Sequence, residues 1–378
     1  MIKLSVVIPA RNEWPNVVHT VYSILHAWET SYEALGWKED EIEIIIVDNC
    51  STDRGYPRTA VTGTTSYLMP RGIFSNRYLR VVYEPKAGNH SARNRGVEKA
   101  RGKYIFLSDA HMSYNPRYFE YMVKAQRESG GIVHSPIGWL GAYPPKEASL
   151  GYQYTLKLGE EWKGTWAQRC LSQDDWFYIP ALGHCSLLFR KDQFTDFKGY
   201  QENHRTYGGG EMYLNMKWWM FDSTVVCEPR AIGYHLASER GYSYNHDDYI
   251  GNIFACMYAL GIDDWLERSY INYLRKGRKE VLDRMMMRAE RDQSDRRAFV
   301  EKRRKHTFNE ILIDRPWDRL NIAKFGSSNC GLSIFHDTWL PLLEGTPAKQ
   351  AYADSRYQKD LEVFINTHLD EFVYKRER

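Results

Sequence analysis

From residue 3 to about 135, short runs of β-branched and other apolar residues alternate with stretches whose apolar positions recur at helical spacing. Residues 3–9 predict a strand, 16–29 a helix and 42–47 a second, buried strand. Residues 79–84 predict a third strand, 91–100 a helix and 103–108 a fourth strand. This alternation implies a parallel sheet covered on both faces, with ligands at the carboxyl ends of its strands. The chemically interesting polar residues cluster at those ends, in 9–13, 48–53 and 109–111. That coincidence is the first sign of a site.

Elsewhere the pattern is looser. Residues 54–78 carry Gly, Pro, Thr and Ser with little periodicity and read as a long surface loop. From about 136 to 245, short strands mix with Trp- and Tyr-rich loops. Past 265 the chain turns basic: residues 275–305 hold thirteen Lys/Arg against six Asp/Glu. One or two basic helices are expected there, then a less regular tail ending in a helix near 361–374. No internal repeat is visible. The expected division is a domain over 1–265 and a basic, mainly helical appendage over 266–378.

With 378 residues, 43% hydrophobic and 26% charged, the composition is that of a packed globular protein. The aromatic share, 14% with 27 Tyr and 12 Trp, suits a binder of sugars or bases as well as an aromatic-rich core. A net charge of +3 selects no partner. No run reaches the ~20 apolar residues of a membrane span, and the first residues turn polar too soon for a signal peptide. Six cysteines without a CxxC pair suit reduced thiols in the cytoplasm better than disulfides or a zinc site.

Asp109-Ala110-His111 follows a strand ending Phe-Leu-Ser, so both side chains can turn toward one ion. A carboxylate with an imidazole suits Mn²⁺ or a similar borderline metal better than Ca²⁺. Alone this DxH pair is weak evidence, because a loop Asp beside a surface His is common. It gains weight from its company. The opening VVIPARNE, the segment IIIVDNCSTD at 44–53 and GNHSARNRGVEKARGKYIFLSDAH at 88–111 resemble family 2-like and polypeptide N-acetylgalactosaminyltransferase-like glycosyltransferases. The stretch from IPALGHC through YGGGEMY to AIGYH resembles the second half of the latter's catalytic domain. The resemblance covers roughly residues 3–240, with five motifs in order.

It implies a GT-A fold, the Rossmann-like α/β architecture of nucleotide-diphospho-sugar transferases. By the same resemblance Asp109, His111 and His235 would bind a divalent metal, Mn²⁺ in first place and Mg²⁺ as the alternative. Pro9, Arg11, Glu13, Asp48 and Arg93 would shape the nucleotide pocket, with a UDP-sugar the expected donor. Gly183, His184, Gly209 and the rest of the 208–211 turn would approach the transferred sugar, and Glu211 would face the sugar or the acceptor hydroxyl. The expected catalytic residues are Glu211, Asp109 and His184. Each also has a purely structural alternative: Asp48 as a turn cap, His235 as a surface histidine, Gly208–Gly210 as a tight turn, Arg93 as a helix-face partner.

Departures from the family pattern qualify this reading. Asn49 stands where many members carry a second acid. Met212 occupies the place of the second acid that supplies the base in inverting family 2 enzymes, so retention is the favoured outcome over inversion. The lectin module of most polypeptide transferases is not visible, and the basic segment stands in its place. With Trp265, Tyr270 and Tyr273 nearby, that segment could track a phosphate backbone. Hydroxymethylated bases in DNA, as in phage-type DNA modification, are therefore slightly favoured as acceptor. The mixed charges of the segment itself favour a solvated helix pair packed on the catalytic domain. A polysaccharide, a glycan precursor or a protein side chain is the alternative acceptor. A non-catalytic sugar-nucleotide-binding protein is the alternative of another class. A nucleotidyltransferase would need a Gly-rich basic loop after the first strand, which Pro-Ala-Arg-Asn-Glu is not.

Overall fold

The structure, a computed structural model, describes residues 1–13, 15–52, 78–140, 153–157, 163–167, 172, 174–181, 183–236, 242–274, 277–314 and 316–326. The chain runs β1 (Leu4–Ala10), α1 (Asn16–Glu29), β2 (Ile42–Asp48), β3 (Leu79–Tyr83), α2 (Asn89–Lys99), β4 (Tyr104–Ser108), β5 (Met112–Tyr114) and α3 (Tyr118–Ser129). Short strands follow: β6 (Ile132–His134), β7 (Ile137–Leu140), β8 (Gln153–Lys157), β9 (Lys163–Ala167), β10 (Phe177–Tyr178) and β11 (Ser186–Arg190). Then come α4 (Lys191–Asp196), α5 (Gly210–Met220), β12 (Val225–Cys227) and β13 (Gly233–Leu236). Helices close the described chain: α6 (His246–Leu260), α7 (Asp263–Leu274), α8 (Lys279–Arg303), α9 (Phe308–Asp314) and α10 (Pro316–Phe325). Most of the loop expected at 54–78 and the helix expected near 361–374 lie outside the described residues.

The main sheet has eight strands in the order β10-β12-β6-β11-β4-β1-β2-β3. β3, β2, β1 and β4 run parallel, as the alternation of strands and helices requires. β11 is inserted antiparallel between β4 and β6. Each strand's two faces read straight from its odd and even positions. Leu4, Val6 and Ile8 of β1, with Ile44, Ile46 and Phe106, pack under α1 and α3 through Val17, Val21, Ile24, Phe119 and Met122. Val7, Ile45, Val47, Ile105 and Leu107 face the other way, toward Ala92 of α2, Leu214 of α5 and Phe254 of α6. All seven residues of β2 are buried, as expected of a central strand. A smaller sheet, β5-β13-β7, sits at the carboxyl end of the first.

The second apolar layer does not stop at residue 265. Trp265, Leu282, Met285, Val300, Phe308 and Trp317 belong to the same cluster as Leu107 and Trp218. α6 begins on an Asn245 cap whose side chain accepts the Asp247 N–H, and it ends on left-handed Gly261. α8 lies against it, burying Leu282, Met285, Ala289, Gln293 and Val300, and most of its remaining positions are charged. Most of those charges have partners within the molecule. Arg278 pairs with Asp247, Lys279 with Asp283, Arg291 with Asp292, and Arg297 with both Asp263 and Glu301. Arg288 reaches Asp248 and Asp292, and Arg296 donates to the carbonyls of Lys198 and Tyr200. The expected basic helix is there, but it is a buttress laced to its neighbours.

Lys217 is the one lysine in α5, and it is fully buried. Its ammonium donates to the Gly199 carbonyl and lies 4.3 Å from the centre of the Tyr213 ring. Burial, with the charge of Arg296 adding to it, pushes the ammonium well below its ordinary value. Folding then costs free energy wherever the unfolded chain holds that proton, so the penalty is largest at low pH and fades above about pH 10.4. Lys217→Met is expected to raise stability by about 1–4 kcal/mol at pH 7. Urea midpoints of the two proteins should converge as pH approaches 10; a gap that widens with pH would refute this.

Candidate functional site

Two strand ends and a return strand build the site. β1 stops at Ala10, and the backbone turns through Arg11 and left-handed Asn12 (φ 56°) into Glu13. The Glu13 carbonyl accepts the Val17 N–H at 3.0 Å, which locks the residue to the first turn of α1. β4 delivers Asp109, whose N–H donates to the Cys185 carbonyl at 3.0 Å. β5 then turns antiparallel to β13, setting His235 opposite Met112. The Leu236 N–H donates to the His111 carbonyl at 3.0 Å. Two histidines 124 residues apart thus meet by sheet register.

The side chains converge. His111 Nε2 and His235 Nε2 are 3.0 Å apart, their rings crossing at 83°. His235 Nε2 is 3.8 Å from Asp109 Oδ2. One ligand atom from each of Asp109, His111 and His235 lies within 4.8 Å of the others. Two imidazole nitrogens and one carboxylate oxygen are a donor set that fits Mn²⁺ or a neighbouring divalent ion. The other carboxylate oxygen, Oδ1, accepts from Arg93 NH2 at 3.0 Å. Burial would raise the Asp109 carboxyl, but the His235 hydrogen bond and the nearby Arg93 and His111 outweigh it and hold it well below the usual range.

Arg93 is itself buried and also donates to the His184 carbonyl at 3.2 Å. His184 follows buried Gly183, and its Nδ1 lies 2.7 Å from the Tyr200 hydroxyl. Burial keeps the imidazole neutral and the phenol protonated. The His184 N–H donates to Glu211 Oε1 at 3.3 Å, tying that loop to the first turn of α5. Gly209 takes a left-handed conformation (φ 77°), and a Cβ there would meet Cys256 Sγ at 2.7 Å. At Gly210 a Cβ would land on the His90 ring. Both positions require glycine for space.

Sequence expectation and geometry divide over the remaining residues. Asp48, at the end of β2, accepts the Ser51 N–H at 3.0 Å and so caps its turn. Pro9 pairs in register with Val47 one residue earlier on the strands. The Arg11 guanidinium lies over the Tyr242 ring at 5.2 Å. Glu13 and Arg93, both expected to line a nucleotide pocket, contact His111 and Asp109, at 3.0 Å each. Sequence reasoning marked Asn49 only as a departure and missed its contacts: it accepts the Gly88 N–H and donates to the carbonyls of Glu84 and Lys86. It also missed Thr20 and Ser23, whose hydroxyls accept the N–H groups of Met112 and Tyr114 at 2.8 and 2.7 Å. Their spacing of three on one helix face was the available signal. A cleft of about 910 Å³ between α2 and α8 includes none of Asp109, His111 and His235 in its lining, so size alone does not locate the site.

The family described as Glycosyl transferase family 2 matches residues 5–192. A polypeptide N-acetylgalactosaminyltransferase 3 of Drosophila melanogaster is 22% identical over 277 residues, 69% of this chain and 39% of its own. A putative polypeptide N-acetylgalactosaminyltransferase 13 of the same organism is 23% identical over 42% of this chain and 30% of its own. The chain thus spans less than two fifths of the length of these relatives. A crystal structure of GalNAc-T7 with UDP, GalNAc and Mn²⁺ superposes with a TM-score of 0.64 at 15% identity, covering 86% of this chain and 59% of that one. At that identity the likeness concerns the fold. Among the described residues, no helix is long and apolar enough to cross a membrane. The chain thus has a GT-A-like α/β fold and resembles family 2 glycosyltransferases and, in particular, polypeptide N-acetylgalactosaminyltransferase-like catalytic domains.

Proposed function

We propose that the protein transfers a sugar from a UDP-sugar to a hydroxyl of a glycan or protein, using a divalent ion held by Asp109, His111 and His235. The observation that carries this reading is the convergence of those three ligand atoms, within 4.8 Å, at the carboxyl ends of the strands. When bound, such an ion supplies Lewis-acid stabilisation of the charge on the departing diphosphate. The chain's own residues do the rest. Arg93 occupies one oxygen of Asp109 and leaves the other toward His235. Glycines 209 and 210 let the start of α5 pack against Cys256 and His90, and Glu211 holds the His184 amide beside them. Pro9, Arg11 and Asp48, at the ends of β1 and β2, stand where the nucleotide would lie.

Retention is the favoured outcome, because Met212 is an apolar, buried side chain beside Glu211 and offers no second base. The acceptor follows from what surrounds the glycine turn. Tyr207, Tyr244 and Tyr249 form a ring cluster there, with centroids 5.1 to 5.9 Å apart, a surface suited to stacking on a sugar. Hydroxymethylated DNA is the weaker reading, since the basic helix directs so many of its cations to internal acids. We place the catalytic machinery within residues 1–265 and assign the following segment a supporting role. The four described cysteines are free thiols, in keeping with a cytoplasmic setting.

The test is donor hydrolysis across UDP- and GDP-sugars with Mn²⁺ or EDTA, with and without glycan, peptide and hydroxymethylated-DNA acceptors. Metal-dependent UDP release from one sugar, accelerated by a glycan or peptide, is the expected result. Acceleration by the DNA alone would replace the acceptor. Nucleotide binding without hydrolysis of any donor would replace the enzyme with a binding protein.

A further inference from the structure

We infer that Glu13 is a positioning residue for the metal centre: it fixes His111 so that Nε2 faces the ion. The inference rests on the metal reading above and goes beyond it, because the resemblance gives Glu13 to the nucleotide pocket. The carboxylate is only 12% exposed and its Oε2 lies 3.0 Å from His111 Nδ1. An imidazole that donates its Nδ1 proton to a carboxylate carries its lone pair on Nε2. Nε2 is the atom that faces His235 Nε2 at 3.0 Å and completes the group with Asp109.

The rest of the surroundings shows why this contact matters. The backbone around His111 is held from α1 and from β13. Thr20 and Ser23 take the N–H groups of Met112 and Tyr114, and the His111 carbonyl takes the Leu236 N–H. Those bonds act on the backbone of His111 and place its Cα. Glu13 supplies a hold on the ring. Its own backbone is fixed by the Val17 N–H at the start of the same helix, so one element sets both the strand and the imidazole. A carboxylate–histidine pair of this kind orients the ligand and raises its basicity.

The experiment measures free Mn²⁺ by electron paramagnetic resonance during titration of the full chain without nucleotide, and separately measures UDP binding in EDTA. Glu13→Ala is expected to weaken Mn²⁺ binding by about 10–100-fold with metal-free UDP affinity and melting temperature unchanged. Glu13→Gln, which keeps an acceptor oxygen, is expected to recover part of the loss. Wild-type Mn²⁺ affinity in Glu13→Ala would overturn the inference, as would an equal loss of metal-free UDP binding. Asp109→Ala is the control for the reading beneath it. If that variant keeps the wild-type Mn²⁺ affinity, the metal centre itself is misplaced and the role of Glu13 falls with it.

Discussion

Asp109→Ala is expected to lower metal-dependent turnover of the UDP-sugar by about three orders of magnitude. Several kcal/mol of transition-state stabilisation pass through a bound ion, and each 1.36 kcal/mol is about tenfold in rate. Asp109 offers the only carboxylate in the convergent group. Alanine would also leave buried Arg93 without its anion, so a second variant is needed. Asp109→Asn retains an oxygen for Arg93 while losing the charge an ion requires. Both variants should show native circular dichroism and near-zero metal-dependent rates after chelation and Mn²⁺ restoration. Wild-type turnover in either would remove Asp109 from the centre.

The largest effect on stability is expected at the opposite end of the same sheet. Glu43 is a charged residue in the interior of β2 with no exposed surface. It accepts from Ser5 Oγ at 2.7 Å, from the Arg101 N–H at 2.6 Å and from Arg101 Nε at 2.9 Å, and it pairs with Arg80 at 3.0 Å. The Gly102 N–H in turn donates to Ser5 Oγ at 2.8 Å. Glu43→Ala leaves Ser5 Oγ and the Arg101 N–H without their acceptor, each such loss costing about 1–3 kcal/mol, while the guanidinium groups of Arg80 and Arg101 keep access to water. Urea unfolding at pH 7 reads it directly, with Glu43→Gln expected to lie between alanine and wild type. A loss below about 1 kcal/mol, the size of an exposed pair, would mean the network is a surface feature.

Two acids of one sheet, Glu43 on β2 and Asp109 just past β4, thus have opposite duties, and their sequence contexts hint at only one of them. Asp109 was legible because it follows an apolar strand and precedes a histidine. Glu43 sits inside a run of isoleucines and reads as an ordinary strand residue, since its partners lie 38 and 58 positions away. α1 was predicted to the residue, and β1, β2, β3 and β4 to within one or two, because local periodicity carries that information. The antiparallel place of β11 was not legible, because strand order depends on pairings that leave no local mark. Motifs single out Glu13 and Arg93, yet a motif names a position without saying which atom it faces. Asp48 shows the same limit: its carboxylate is seen capping Ser51. The charge excess in α8 was counted correctly, but a count of cations says nothing of the acids on α6 and α7 that receive them.

The strand order also bears on how the polypeptide is made. β1, β2, β3 and β4 can assemble once residue 108 has emerged from the ribosome, since each pairs with an earlier neighbour. β6 cannot join them, because its partners β11 and β12 lie later, at 186–190 and 225–227. Until β11 arrives, the free side of β4 is an open hydrogen-bonding edge flanked by apolar residues, the kind of surface that recruits other chains. A chain interrupted between residues 110 and 185 therefore holds a half-sheet with an exposed seam, and vectorial synthesis must cross that interval before the molecule is protected from aggregation.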